Sequence, residues 1–200
     1  MSLRKDLGLI SCDCSRCGNC CQRRGIELSL TPLDVFNISH YLNISTKDFV
    51  EKYCDVGRDF DVRIRTIEFN KKCIFFTHDF EKGSCYCQIY DVRPMACYLY
   101  PLKSGLESKD SFFIDSGAPC PTSDKQISYS EYVERNSNGR YDEEFKHYKY
   151  FCMAIGAFYC DKNSPSLTEM FEYLFYNESA EEAKQKLVIY LFGKKHEDTA

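Results

Sequence analysis

Residues 12 to 21 read CDCSRCGNCC, five cysteines in ten positions. Packing alone has no use for that density, so a disulfide framework, a redox pair and a metal or iron–sulfur site are the chemistries to weigh. Cys14, Cys17 and Cys20 form C-x-x-C-x-x-C. Two intervening residues let a loop fold back so that its sulfurs converge on one centre. Three such thiols on one loop are similar to the cluster-binding arm of bacterial ferredoxins, whereas zinc knuckles more often draw two ligands from each of two loops. Cys21 adds a fourth thiol beside Cys20. Adjacent side chains project in different directions, so these two point to two different centres.

A second group follows, at Cys73, Cys85, Cys87, Cys97 and Cys120, and Cys120 precedes a proline. The chain carries thirteen cysteines in 200 residues. An odd count sits poorly with a pure disulfide framework, and a chain of this length can bury a core without staples. The N-terminal stretch MSLRKDLGLISC lacks the apolar core of a secretory signal, and no apolar run approaches a membrane span. The expectation is a cytoplasmic protein whose thiols stay reduced. Net charge is −4, which makes no general electrostatic case for nucleic acid.

C-x-x-C-x-x-C-C, then a cysteine before an aromatic pair, then C-x-I-Y-x-x-R-P-x-x-C-x-x-x-P resembles the YkgJ-type cysteine-cluster family over residues 14 to 121. That family is described as zinc- or iron-chelating, and its domain also occurs in flagellin lysine-N-methylase. The segment IELSLTPLDVFNISHYLNIS resembles the stretch that follows the first cluster there. The resemblance implies eight ligand-type positions: Cys14, Cys17, Cys20, Cys21, Cys73, Cys87, Cys97 and Cys120. It implies zinc or an iron–sulfur cluster as cofactor. One departure is Tyr98, where the family commonly has arginine after the cysteine of the R-P-x-x-C block.

Thiolate sites of this kind carry negative charge and need cations close by. Arg16, Arg23, Arg24, Lys71, Lys72 and Arg93 lie near the ligand positions in sequence. Arg93, between two of them, is the expected supporting residue, and Pro94 fixes the turn after it. Cys12 and Cys85 each neighbour a ligand position and can replace it or act as a resolving thiol. Cys54, Cys152 and Cys160 read as core residues. His40, His78, His147 and His196 share no spacing, and His78 reads as a loop histidine. Helix capping accounts fully for Asp34.

The elements that must position these groups read as α+β: a small metal-knotted antiparallel β region with N-terminal helices and a helical C-terminal part. Thr31, Pro32 and Asp34 give a helix start with a capping box, and Ser45 with Asp48 starts a second helix. VRIRTIEF, CIFFT, CYCQIY and SFFI predict a small antiparallel meander. Ser128 with Glu131 caps a short helix broken at NSNG. From Tyr141, Phe145, Tyr148, Phe151, Cys152, Ile155 and Phe158 recur at helical spacing. Two closing helices follow, the last with a Ser179–Glu182 box and Gly193 as its stop. Residues 1–121 form the cysteine-cluster region and 122–200 a helical region packed on it.

Three functions compete. The first is a metal- or iron–sulfur-binding protein whose cluster is structural or redox-active. The second is an iron–sulfur-dependent enzyme, a protein-lysine methyltransferase or an oxidoreductase acting on a protein or small molecule, and it rests on the shared domain alone. The third is a DNA binder built on a superficial helix–turn–helix, where Lys47 and Lys52 beside Asp48 and Glu51 make a poor footprint. There is no glycine-rich nucleotide loop.

Overall fold

The computed structural model describes residues 8–12, 14, 16–22, 28–79, 84–106, 108–114 and 122–193. Cys120, Pro121, Arg23, Arg24 and His196 lie outside the described residues. Strand β1 (Leu9–Cys12) leads into a short helix α1 (Asn19–Gln22). Helices α2 (Pro32–Tyr41) and α3 (Thr46–Tyr53) follow, then hairpin strands β2 (Cys54–Val56) and β3 (Val62–Ile64). Strands β4 (Phe76–Asp79) and β5 (Ser84–Cys87) precede a 3₁₀ turn (Tyr90–Val92) and α4 (Met95–Leu99). Strands β6 (Leu102–Ser104), β7 (Phe112–Ile114) and β8 (Thr122–Ser128) come next, and α5 (Tyr129–Ser137), α6 (Tyr141–Cys160), α7 (Leu167–Phe175) and α8 (Ala180–Phe192) complete the order.

The mixed α+β class is as expected, but the strands do not join into one meander. Among the described residues they form four two-stranded antiparallel ladders: β1–β8, β2–β3, β4–β5 and β6–β7. Each is only three to seven residues long. Ladders this short are marginal by themselves, and α3 packs on β2, α4 on β6 and α5 on both β1 and β8.

Helix starts follow the capping chemistry. The Thr31 side chain accepts from the Asp34 N–H at 3.1 Å, and the Asp34 carboxylate accepts from the Thr31 N–H at 2.9 Å. The Ser45, Ser128 and Ser179 side chains accept from the N–H groups of Asp48, Glu131 and Glu182 at the starts of α3, α5 and α8. The Glu182 carboxylate, however, accepts from the Glu178 N–H instead of that of Ser179, so the expected Ser179–Glu182 box is only half formed. Ser166 caps α7 with Glu169 in a full box that the sequence reading left unremarked.

Among the described residues two apolar cores form. One gathers Val35, Ile38, Phe49, Val62, Phe75, Phe151, Phe158, Leu174, Phe175 and Leu187 from α2, α3, β3, α6, α7 and α8. The other gathers Ile10, Cys12, Met95, Tyr98, Leu99, Leu102, Ile127, Tyr132 and Phe145 around α4. Helix α6 serves both, with Tyr141 and Phe145 in the second and Phe151, Ala154 and Phe158 in the first. Its twenty residues span about 30 Å, which is long enough to do so. Cys54 is buried in the first core as expected, while Cys152 is half-buried and Cys160, at the end of α6, is exposed. Among the described residues no helix is long and apolar enough to cross a membrane.

Candidate metal centre

The first cysteine run is a loop closed on itself and pinned to the second. Gly18 turns the chain at φ +72°, a left-handed conformation that glycine adopts without steric cost. Its carbonyl accepts from the N–H groups of Cys21 and Gln22 at 3.0 and 3.1 Å. The Cys21 carbonyl accepts from the Cys73 N–H at 2.9 Å, so the two cysteine groups are joined backbone to backbone.

The aromatic pair after Cys73 divides its work. Phe75 is fully buried and lies 5.3 Å from the Tyr53 ring and 6.3 Å from the Phe49 ring, which anchors the segment in the first core. Phe76, on β4, packs under Gly18, where a Cβ would stand 2.5 Å from its ring edge. In the antiparallel register Phe76 faces Cys87 and His78 faces Cys85. His78 is therefore an exposed strand residue, not a loop histidine.

The R-P-x-x-C block delivers Cys97. Pro94 opens α4, and its carbonyl accepts from the N–H of Cys97 at 2.9 Å. Although Cys97 keeps some exposed surface as a residue, its sulfur is buried, and its thiol is pushed well up by burial and by Cys73, Cys87 and Cys20. Burial pushes the Cys73 thiol up to about 11, with Cys87 and Cys20 adding to the effect. Burial likewise raises Cys87, opposed by the Arg93 charge and reinforced by Cys20. Every pair within Cys20, Cys73, Cys87 and Cys97 thus interacts electrostatically.

Cys20 and Cys21 approach to 3.9 Å between sulfurs. The hydrogen bond from Cys21 lowers the Cys20 thiol to about 7, and the same contact, with burial, raises Cys21. Arg93 Nη1 donates to the Cys14 sulfur at 3.6 Å, and the Tyr90 hydroxyl stands 3.9 Å from the same sulfur. Cys17 is exposed on the loop. Cys12 points into the second core, and Cys85 lies half-buried against Gly18, its Cβ 3.3 Å from where a Gly18 Cβ would stand.

Arg93 is only 8% exposed. Its Nη2 donates to the backbone carbonyl and the side-chain oxygen of Asn136, both at 3.2 Å. The guanidiniums of Arg93 and Arg16 each lie 4.1 Å from the centroid of the Tyr90 ring. Lys72 sits over Phe76 instead. At the departure from the family pattern, the Tyr98 ring carries the guanidinium of Arg140 at 5.3 Å, and its hydroxyl donates to Glu144 at 2.6 Å. Sequence reasoning missed Arg140 and Glu144, because nothing in the spacing of the C-terminal half links them to the cysteines.

The donor set fits a soft or borderline cation. Several thiols resist ionisation because of burial and of one another, and a bound divalent ion or iron–sulfur cluster would offset both. Among the described residues, however, no three His, Cys, Asp or Glu side chains stand already arranged to hold a metal ion. The arrangement is a thiol neighbourhood rather than a closed coordination shell.

Comparison with known proteins agrees with this chemistry. No solved structure matches the chain. The protein named "Uncharacterized protein MJ0661" of Methanocaldococcus jannaschii is 30% identical over 92 residues, which is 46% of this chain and 45% of that protein. The chain thus matches less than half the length of that relative. A family profile, CxxCxxCC, matches residues 13–153 and so runs past both cysteine groups into α6. The chain belongs to this family, described as "Putative zinc- or iron-chelating domain".

Proposed function

We propose that the protein chelates zinc or an iron–sulfur cluster through its cysteines, and that Cys20, Cys73, Cys87 and Cys97 provide one four-thiolate site. The observation that carries this reading is the mutual interaction of those four thiols, drawn from both cysteine stretches, with Arg93 acting on Cys20, Cys87 and Cys97. Four thiolates suit tetrahedral zinc and equally suit an iron–sulfur cluster. Cys21 borders the same group, and Cys14 and Cys17 lie earlier on the same loop, Cys14 in contact with Arg93. With Cys120 they would complete a second set. When bound, the group would supply either a structural clamp between the two cysteine stretches or an electron-carrying centre. The chain's own contribution is to bring the sulfurs together, exclude water from Cys97 and balance their charge with Arg93.

Metal and sulfide content of protein purified without oxygen, alongside Cys97→Ser and Cys160→Ser variants, tests the reading. Stoichiometric zinc, or iron with acid-labile sulfide, is expected in the parent and in the Cys160 variant, and a loss of about half or more in the Cys97 variant. Reduced parent protein that binds neither zinc nor iron would overturn it. Iron with sulfide selects the redox role, and colourless zinc protein selects the structural one.

A further inference from the structure

Behind α4 lies a buried set of charged groups that the cysteines alone do not call for. Glu144 on α6 is 6% exposed and Asp34 on α2 is 5% exposed. Asp34 is engaged on both oxygens: Oδ2 accepts from the Thr31 N–H and hydroxyl at 2.9 and 2.8 Å, and Oδ1 from the Met95 N–H at 3.3 Å. Glu144 accepts from Tyr98 through Oε2 at 2.6 Å and from Arg140 Nη1 through Oε1 at 3.0 Å. Arg140 Nη2 in turn donates to the Arg93 carbonyl at 3.3 Å, and Arg93 donates to the Cys14 sulfur. The contacts therefore run without a break from the Cys14 sulfur through two arginines to Glu144, and on from Glu144 to Tyr98, the residue beside Cys97.

We infer that Glu144 is the charge-balancing group of the cysteine site, taking up a proton when metal loading leaves net negative charge on the thiolates and releasing it when the metal leaves. This rests on the metal-chelating reading above.

Two arginines separate two sets of acidic groups, the thiols on one side and the carboxyls on the other. A four-thiolate divalent site carries a formal charge of about −2, and neither arginine can change its charge to answer it. Burial raises both carboxyls, but Asp34 is held against that shift by three donors, two of them backbone N–H groups, whereas Glu144 has two side-chain donors. The groups facing Glu144 are Tyr98 from α4, Asp34 from α2, and Arg140 and Glu143 from α6 and its start. Burial, and then the Asp34 charge, raise its carboxyl to about 7, against the pull of Tyr98 and Arg140. Glu143, the remaining neighbour, is exposed and pairs with Lys184.

The test is zinc titration of reduced protein between pH 6 and 8.5, with calorimetry in buffers of different ionisation enthalpy to count protons released, on parent, Glu144→Gln and Tyr98→Phe. Infrared spectroscopy follows the carboxylic-acid carbonyl band in the metal-free protein. The parent should show that band titrating near neutral pH, and Glu144→Gln should lack it. At pH 8 the parent should release fewer protons per zinc than Glu144→Gln and bind about threefold more weakly, the effect of half a pKa unit. At pH 6 the two should agree. Tyr98→Phe removes a donor that favours the carboxylate, so it should move the crossover to higher pH. That variant and the parent's own infrared titration keep the test decisive if Glu144→Gln does not fold. Normal zinc binding with the same proton count at every pH, or a parent band that titrates in the ordinary carboxylate range, would overturn the inference. Failure of every variant and the parent to bind zinc or iron would instead overturn the metal reading, and this inference with it.

Discussion

Arg93 donates from Nη1 to the Cys14 sulfur across 3.6 Å, and the two residues lie 79 positions apart in the chain. The contact ties the N-terminal cysteine loop to the R-P-x-x-C block. The same guanidinium acts on the thiols at Cys20, Cys87 and Cys97, each of which it favours in its charged form.

Replacing Arg93 should therefore weaken metal binding more than folding. Arg93→Met keeps the apolar stem but removes the donors to Cys14 and Asn136. Affinity for zinc should fall about 10- to 100-fold, the usual cost of losing a group that supports metal ligands. Arg93→Lys retains the charge without the fork that reaches both partners, so it should fall between parent and Met. Competition against a chromophoric chelator measures this, and equal affinities would show that Arg93 does not support the site.

Gly18 gives a second, independent handle. At φ +72° any other residue is strained, and an alanine Cβ would stand 2.5 Å from the Phe76 ring. Gly18→Ala should cost roughly 1–2 kcal/mol from backbone strain alone, with the clash added. Zinc affinity should drop because the loop holding Cys17, Cys20 and Cys21 must move. Phe76→Leu in the same chain should relieve the clash and leave the strain, recovering part of the loss. Thermal unfolding and zinc titration on the single and double variants report both quantities.

Motif spacing told where the thiols come from, and N-cap residues told where α2, α3, α5 and α8 begin, because both depend on residues close in sequence. The tertiary pairings were not legible in the same way. The β strands read as a meander, but they pair two by two, and β1 finds its partner at β8, more than a hundred residues on. Cys160 read as core because it ends an apolar helix, yet the last turn of α6 carries it out to solvent. Glu144 and Arg140 sat inside an ordinary amphipathic pattern. Their relation to the cysteines runs through Tyr98, a contact made only once α4 packs on α6.

His147 offers a prediction away from the thiols. It is 4% exposed on α6, with Nε2 3.4 Å from the Ala183 carbonyl and Nδ1 buried without a hydrogen-bond partner among the described residues. Burial holds its pKa down at about 4. The unfolded chain takes up this proton below about 6.5, whereas the folded chain resists until about 4. The associated stability is thus complete above pH 6.5 and drains away as pH falls from 6.5 to 4, about 3 kcal/mol at 1.36 kcal/mol per unit. Glu144 acts in the opposite sense over an overlapping range, since a raised carboxyl favours the folded state below about 4.5 and loses that advantage as pH rises through about 7. The two contributions partly cancel in the parent, so the informative quantity is the difference between parent and variant. His147→Phe keeps a ring of similar size and removes the orphaned nitrogen. Urea unfolding should find the two proteins close in stability at pH 7.5 and the variant progressively more stable relative to parent at pH 5.5 and 4.5. A constant difference across that range would mean that His147 stays as easily protonated in the folded chain as in water.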